Sequence, residues 1–195
     1  MDKLVDKIIE NMKKNDSLTD DEELVRFGLV VIIEKAIFIC IIAAFGLLMN
    51  CFWESAVFTV SFTLLREYGG GYHAETKKKC FVLSVLTLLA ALSIIKLAEG
   101  FQIMTLPLCG IALISVIYIL IKAPIDTPNK SFDEDEIRVY GRKARLLTVV
   151  LLSAALLLWL LKFSNFTFTV LTGIIIQAYL MVKGQISNYI HKEEV

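Results

Sequence analysis

The stretch LLREYGGGYHAETKKKCF, residues 64–81, holds one of the chain's two histidines, one of its four cysteines and three consecutive glycines. Cys80 is a potential nucleophile. A free thiol, with a pKa of about 8.5, is only a few per cent thiolate at neutral pH. A nearby imidazole, here His73, raises that fraction or shares the proton, and the run Lys77, Lys78 and Lys79 adds positive potential that favours the anion. A cysteine with a histidine suffices for acyl transfer; a third orienting group is common but not required. Metal binding fits less well, because His73, Glu75 and Cys80 supply at most three ligands without a zinc spacing. Nothing in this chemistry calls for a cofactor. His191, at the far C-terminus, reads as solvated.

Spacing restricts how the pair can meet. His73 and Cys80 are seven residues apart and would share a helix face, but seven residues rise ~10.5 Å along a straight helix. Helical side chains lean toward the N-terminus, so His73 would lean away from Cys80. The pair can cooperate only if the backbone breaks between them or a helix starts after His73. Gly69, Gly70 and Gly71 permit such a break, and Thr76 is placed to cap a helix beginning just beyond it.

The elements that must hold this loop are read from hydropathy. The 195-residue chain is 56% hydrophobic, above the ~45–50% of soluble domains. The excess lies in six apolar segments, at about 27–50, 54–65, 81–98, 102–121, 146–163 and 166–183, most of them long enough to cross a bilayer. The expectation is an all-α polytopic membrane protein forming a single domain over residues 1–195, with about six transmembrane helices. The segment at 54–65 is short for a straight crossing. It tilts, recruits its flanks, or is re-entrant with its backbone covered.

Charge orients the segments. With the N-terminus in the cytoplasm, 17 of the 20 Lys and Arg residues fall on the inner side; Lys96 and Lys162 fall outside and Lys35 lies within the first segment. Both termini are therefore expected inside, and the loops at 66–80 and 122–145 share the inner face. The loops at 51–53 and 99–101 face out and are too short to hold a site. Cys80 is then in a reducing compartment and a free thiol. Cys40, Cys51 and Cys109 read as small packing residues, with a Cys51–Cys109 disulfide as the alternative for two of them. The formal net charge is zero, which gives no reason to expect a nucleic-acid partner. Residues 1–25 begin with an amphipathic pattern of Leu4, Val5, Ile8, Ile9 and Met12. That pattern fits a helix on the lipid surface or one capping the bundle.

The pattern Arg66-x4-Gly71-x-His73-x6-Cys80, within GGGYHA, resembles the signature of the AgrB family, the membrane endopeptidases of the accessory gene regulator quorum-sensing system. Length, the amphipathic N-terminus, the apolar segments and the later stretch APIDTPNK (123–130) extend the resemblance over essentially the whole chain. The resemblance implies a cysteine endopeptidase in a bacterial cell membrane, acting on an AgrD-type pro-peptide, with a homodimer as a possible assembly. Cys80 matches the nucleophile and His73 its base, while Arg66 and Gly71 match positions the family needs for activity. Release of an acidic C-terminal tail would leave a thioester acyl-enzyme, which a cysteine of the peptide opens to a thiolactone; some relatives close a lactone through serine.

Roles for other residues remain open. Arg66 could hold a substrate carboxylate or a developing oxyanion, or be an interfacial anchor. Gly70 shares in the turn. Asp126 could orient His73 or be a turn residue between Pro124 and Pro128. Arg138, Arg142, Lys143 and Arg145 could attract the acidic tail or simply set topology. Glu34, inside the first span, is a functional candidate by position and could contact substrate. The acidic run 133–136 reads as a solvated helix start. Two other functions compete: a peptide exporter, against which no internal repeat is visible, and a membrane scaffold without chemistry.

Overall fold

A computed structural model gives the architecture for residues 2–15, 21–74, 76–100, 105–126 and 132–193. Glu75, Pro128, Lys130 and the side chains of Leu4, Lys77 and His191 lie outside the described set. Among the described residues the chain is all-helical: α1 Asp2–Lys14, α2 Glu22–Leu48, α3 Phe52–Gly69, α4 Lys77–Gly100, α5 Thr105–Lys122, α6 Glu134–Leu160 and α7 Ser164–Glu193. Long unbroken runs of Leu, Ile, Val and Ala allow this, because in an apolar surrounding only helices and closed barrels satisfy their own backbone groups. Four of the helices, α2, α4, α6 and α7, are long and apolar enough to cross a membrane. The apolar segment at 54–65 lies in α3, and the described part of the segment at 102–121, from Thr105 on, lies in α5; each helix has 18 residues.

The chain divides into two units, residues 1–44 and 45–195. In the first, Val5 and Ile9 of α1 are buried. Asp6 pairs with Arg26 at 2.7 Å and Lys13 with Glu22 at 2.7 Å, tying α1 to the start of α2. Glu34 sits half-buried midway along α2.

The second unit is organised around α7. Of its apolar stretch, 72% is buried, against 22% or less in α4 and α6. Its residues Val170, Leu171, Ile174, Ala178 and Met181 meet Leu65 of α3, Val116 and Ile119 of α5 and Ala144 of α6 in one core. Two buried hydroxyls bond to backbone within their own helices, Thr148 to Ala144 O at 2.7 Å and Thr169 to Asn165 O at 2.8 Å. The acidic run at 133–136 caps α6, where the Glu136 carboxylate accepts the Asp133 N–H at 3.1 Å. All four cysteines are free, which removes the Cys51–Cys109 disulfide. Cys51 is buried, whereas Cys40 and Cys109 are exposed rather than packed inside. They lie on the outer faces of the apolar helices α2 and α5.

Candidate functional site

Helix α3 stops at Gly69 because the next two residues leave helical space: Gly70 has φ +67° and Gly71 φ +104°, a region that side chains with a Cβ rarely enter. The chain then runs without regular secondary structure through Tyr72, His73 and Ala74 before α4 begins at Lys77. This connector is fastened on both sides. Gly70 pairs in parallel with Ile125 of the loop after α5: Gly71 N donates to Ile125 O at 2.8 Å, and Ile125 N to Gly69 O at 3.0 Å. A Cβ on Gly70 would collide with that Ile125 oxygen. On the other side, Tyr72 N donates to Leu180 O of α7 at 2.9 Å. Gly184, one turn further along α7, lets the connector approach, since a Cβ there would come within 2.7 Å of Tyr72 N. The two polar loops that charge placed on one face are therefore joined by backbone hydrogen bonds.

Arg66, in the last turn of α3, closes the connector into a loop. Its Nη1 donates to Gly70 O at 2.6 Å and its Nη2 to Tyr72 O. A planar guanidinium is suited to bridge two carbonyls in this way, and a cation is favoured at a helix C-terminus. Burial draws this guanidinium down to about 10, and the nearby Cys80 opposes that shift. Arg66 is thus charged at neutral pH and within electrostatic reach of Cys80. The sequence offered a substrate carboxylate, an oxyanion or an anchor for Arg66; the structure adds backbone clamping, which a motif cannot reveal.

His73 is a half-buried residue of this non-helical connector. Cys80, also half-buried, lies in the first turn of α4. Thr76 caps that turn as its position suggested: its Oγ1 accepts Lys79 N at 3.3 Å and its carbonyl accepts Cys80 N at 2.9 Å. The two residues are therefore not on one straight helix. Beside them, a groove of about 400 Å³ is lined by Tyr72, Ala74, Val82, Leu83, Leu86 and the lysines Lys78, Lys79 and Lys183. Lys183 stands over the Tyr72 ring at 4.0 Å.

Other residues singled out in the sequence are distributed around this site. Asp126 follows the bridge at Ile125 and is exposed; its carbonyl accepts Asn188 Nδ2 of α7 at 2.7 Å. Two cations of the later basic run have structural contacts. Arg145 donates to Leu120 O at 3.0 Å and to Ala123 O at 3.4 Å, capping the end of α5, and Lys143 stands 4.8 Å over the Tyr68 ring. The sequence reading missed the contribution of α7. Gln177 was visible as a carboxamide inside the apolar run GIIIQAYLM, and a polar residue at such depth is itself a signal.

A helical, membrane-capable protein with a cysteine on a capped helix start and a histidine on a clamped connector defines a class of membrane protein with a thiol site at one end of its bundle. The family profile "Accessory gene regulator B" matches residues 1–181. Two proteins of Clostridium perfringens, whose names go no further than AgrB-like, are similar along most of their length. One, from strain SM101 / Type A, is 23% identical over 84% of this chain and 78% of its own. The other, from strain 13 / Type A, is 26% identical over 75% and 72%. No solved structure matches. The chain belongs to the accessory gene regulator B family.

Proposed function

We propose that this chain is a membrane-embedded cysteine endopeptidase that matures a quorum-sensing pro-peptide of the AgrD type, with Cys80 as nucleophile and His73 as its base. The observation that carries the reading is the helix break: His73 precedes the capped start of α4 and Cys80 follows it, so the helical rise that would separate them does not apply. His73 takes the thiol proton as sulfur attacks the scissile carbonyl. The tetrahedral intermediate collapses, the new amine leaves with that proton on the C-terminal fragment, and a thioester remains on Cys80. A cysteine thiol of the peptide then attacks this thioester, restores Cys80 and closes a thiolactone; a serine in its place gives a lactone.

Gly70 and Gly71 shape the turn, and Arg66 holds it. The lysine-rimmed groove beside Cys80 suits an acidic tail better than Arg145, whose guanidinium caps α5. Asp126 is proposed to orient His73 from the adjoining loop, and Glu34 to contact substrate. The whole chain acts as one peptidase domain of six crossings in a bacterial cell membrane. Both termini and the site are cytoplasmic, with lipid and a second copy of the chain as further partners. Both Cys80→Ala and His73→Ala should abolish cleavage of the pro-peptide in membranes while the protein still inserts. Full cleavage by Cys80→Ala would end this reading.

A further inference from the structure

Gln177 lies in the middle of α7 and is fully buried, among neighbours such as Ile174, Ala178 and Met181 that belong to the apolar core. A buried carboxamide is costly, because a polar atom taken out of water without a partner loses its hydration with no return. Among the described residues its Oε1 has no hydrogen-bond partner, so the side chain carries that cost. Its Nε2 donates to Gly70 O at 3.0 Å, the same oxygen that accepts Arg66 Nη1 at 2.6 Å. Room for the carboxamide comes from Gly69, where a Cβ would lie 2.7 Å from Nε2.

The consequence is a backbone fixed at successive points. The Gly70–Gly71 peptide has its carbonyl held by Gln177 and Arg66, and its N–H by Ile125 O. The next N–H, of Tyr72, is held by Leu180 O. The Tyr72 carbonyl, bonded directly to the nitrogen of His73, is held by Arg66. Leu180 and Gly184 lie three and seven residues beyond Gln177, on the same face of α7. That face supports the connector from Gly69 to the residue preceding His73.

We infer that Gln177 is a positioning residue: through the Gly70 carbonyl it fixes the backbone from which His73 is presented to Cys80. The inference rests on the Cys80–His73 reading above, so its test separates the two. Cys80 alkylation by iodoacetamide at neutral pH is measured on the full-length protein in detergent, with Cys40, Cys51 and Cys109 replaced by alanine. Thermal unfolding is followed in parallel. Gln177→Met keeps approximate volume but cannot donate. It should slow alkylation on the order of tenfold, in the same direction as His73→Ala, with little change in the unfolding midpoint. In the His73→Ala background the same substitution should have no further effect. Gly69→Ala, which displaces the carboxamide without altering it, should reproduce the pattern and serves if Gln177→Met does not fold. Wild-type alkylation in Gln177→Met, or in Gly69→Ala where only that variant folds, overturns the inference. So does an effect that persists undiminished without His73, because that marks a general packing role. If His73→Ala itself leaves alkylation unchanged, the dyad fails first and the inference fails with it.

Discussion

At the scale of single residues, Arg66 does its work through backbone oxygens. Its guanidinium reaches both Gly70 O and Tyr72 O. A lysine has the same charge but one compact ammonium, which cannot span two carbonyls in a fixed fork. Arg66→Lys is therefore expected to keep insertion and lose about 10- to 100-fold in pro-peptide cleavage, a typical penalty for a slightly misplaced catalytic group. Steady-state rates on purified protein check this; wild-type turnover by the lysine variant would remove the clamp from the mechanism. Gly71 is a sharper case. At φ +104° a Cβ is strained, and it would also come within 2.9 Å of both Arg66 Nη1 and Leu180 O. Gly71→Ala should destabilise the folded protein by about 1–3 kcal/mol and abolish cleavage, read from unfolding midpoints in detergent beside activity.

At the scale of elements, α4 has to begin at one place for Cys80 to sit in its first turn. Thr76 sets that start by accepting Lys79 N at 3.3 Å. Thr76→Ala should cost about 1 kcal/mol of local helix stability. Because fraying at one helix end leaves the core intact, the unfolding midpoint should barely move while cleavage falls several-fold. Hydrogen exchange at residues 78–80, faster in the variant, locates the effect. This helix start was legible in the sequence, since a cap residue, a glycine run and the rise per residue are all local. The apolar segments were legible for the same reason, but not the ends of the helices that carry them: α6 begins at Glu134 and α7 runs to Glu193, well beyond the apolar limits at 146 and 183. The rest of what was not legible is long-range. That Ile125 pairs with Gly70, that Leu180 and Gly184 line the connector, and that Gln177 reaches the Gly70 carbonyl depend on packing between elements far apart in the chain. No spacing rule encodes such contacts. Arg66 was recognised as important but not for its contacts, because a motif records which residue is present and not which backbone atoms it meets.

At the scale of the molecule, residues 45–193 segregate their charge between two ends. One end gathers Arg66, Lys78, Lys79, Lys143, Arg145 and Lys183 around the connector and the loop at Ile125. The other holds Lys96, which donates to Asn50 O at 3.2 Å and pairs with Glu99 at 2.8 Å, and Lys162, exposed between α6 and α7. Cys51 belongs to that second end: burial pushes its thiol up, Lys96 opposes the shift, and Glu54 and Glu99 add to it. An end rich in cations opposite an end with few is the pattern expected of a cytoplasmic and an external face. Helix α6 passes beside the connector end at Tyr140, which meets Tyr68 at 5.6 Å between ring centroids, and continues from there to Leu160. That stretch is about 30 Å of helix, enough to reach the opposite surface. Ser164, exposed at the first position of α7, should then face outward while Cys80 faces the cytoplasm. With Cys40, Cys51 and Cys109 replaced by alanine, a membrane-impermeant maleimide should label Ser164→Cys on intact cells, but Cys80 only after permeabilisation. Equal labelling of Cys80 on intact cells would invert the proposed topology. It would place the thiol site outside and separate it from a substrate made in the cytoplasm.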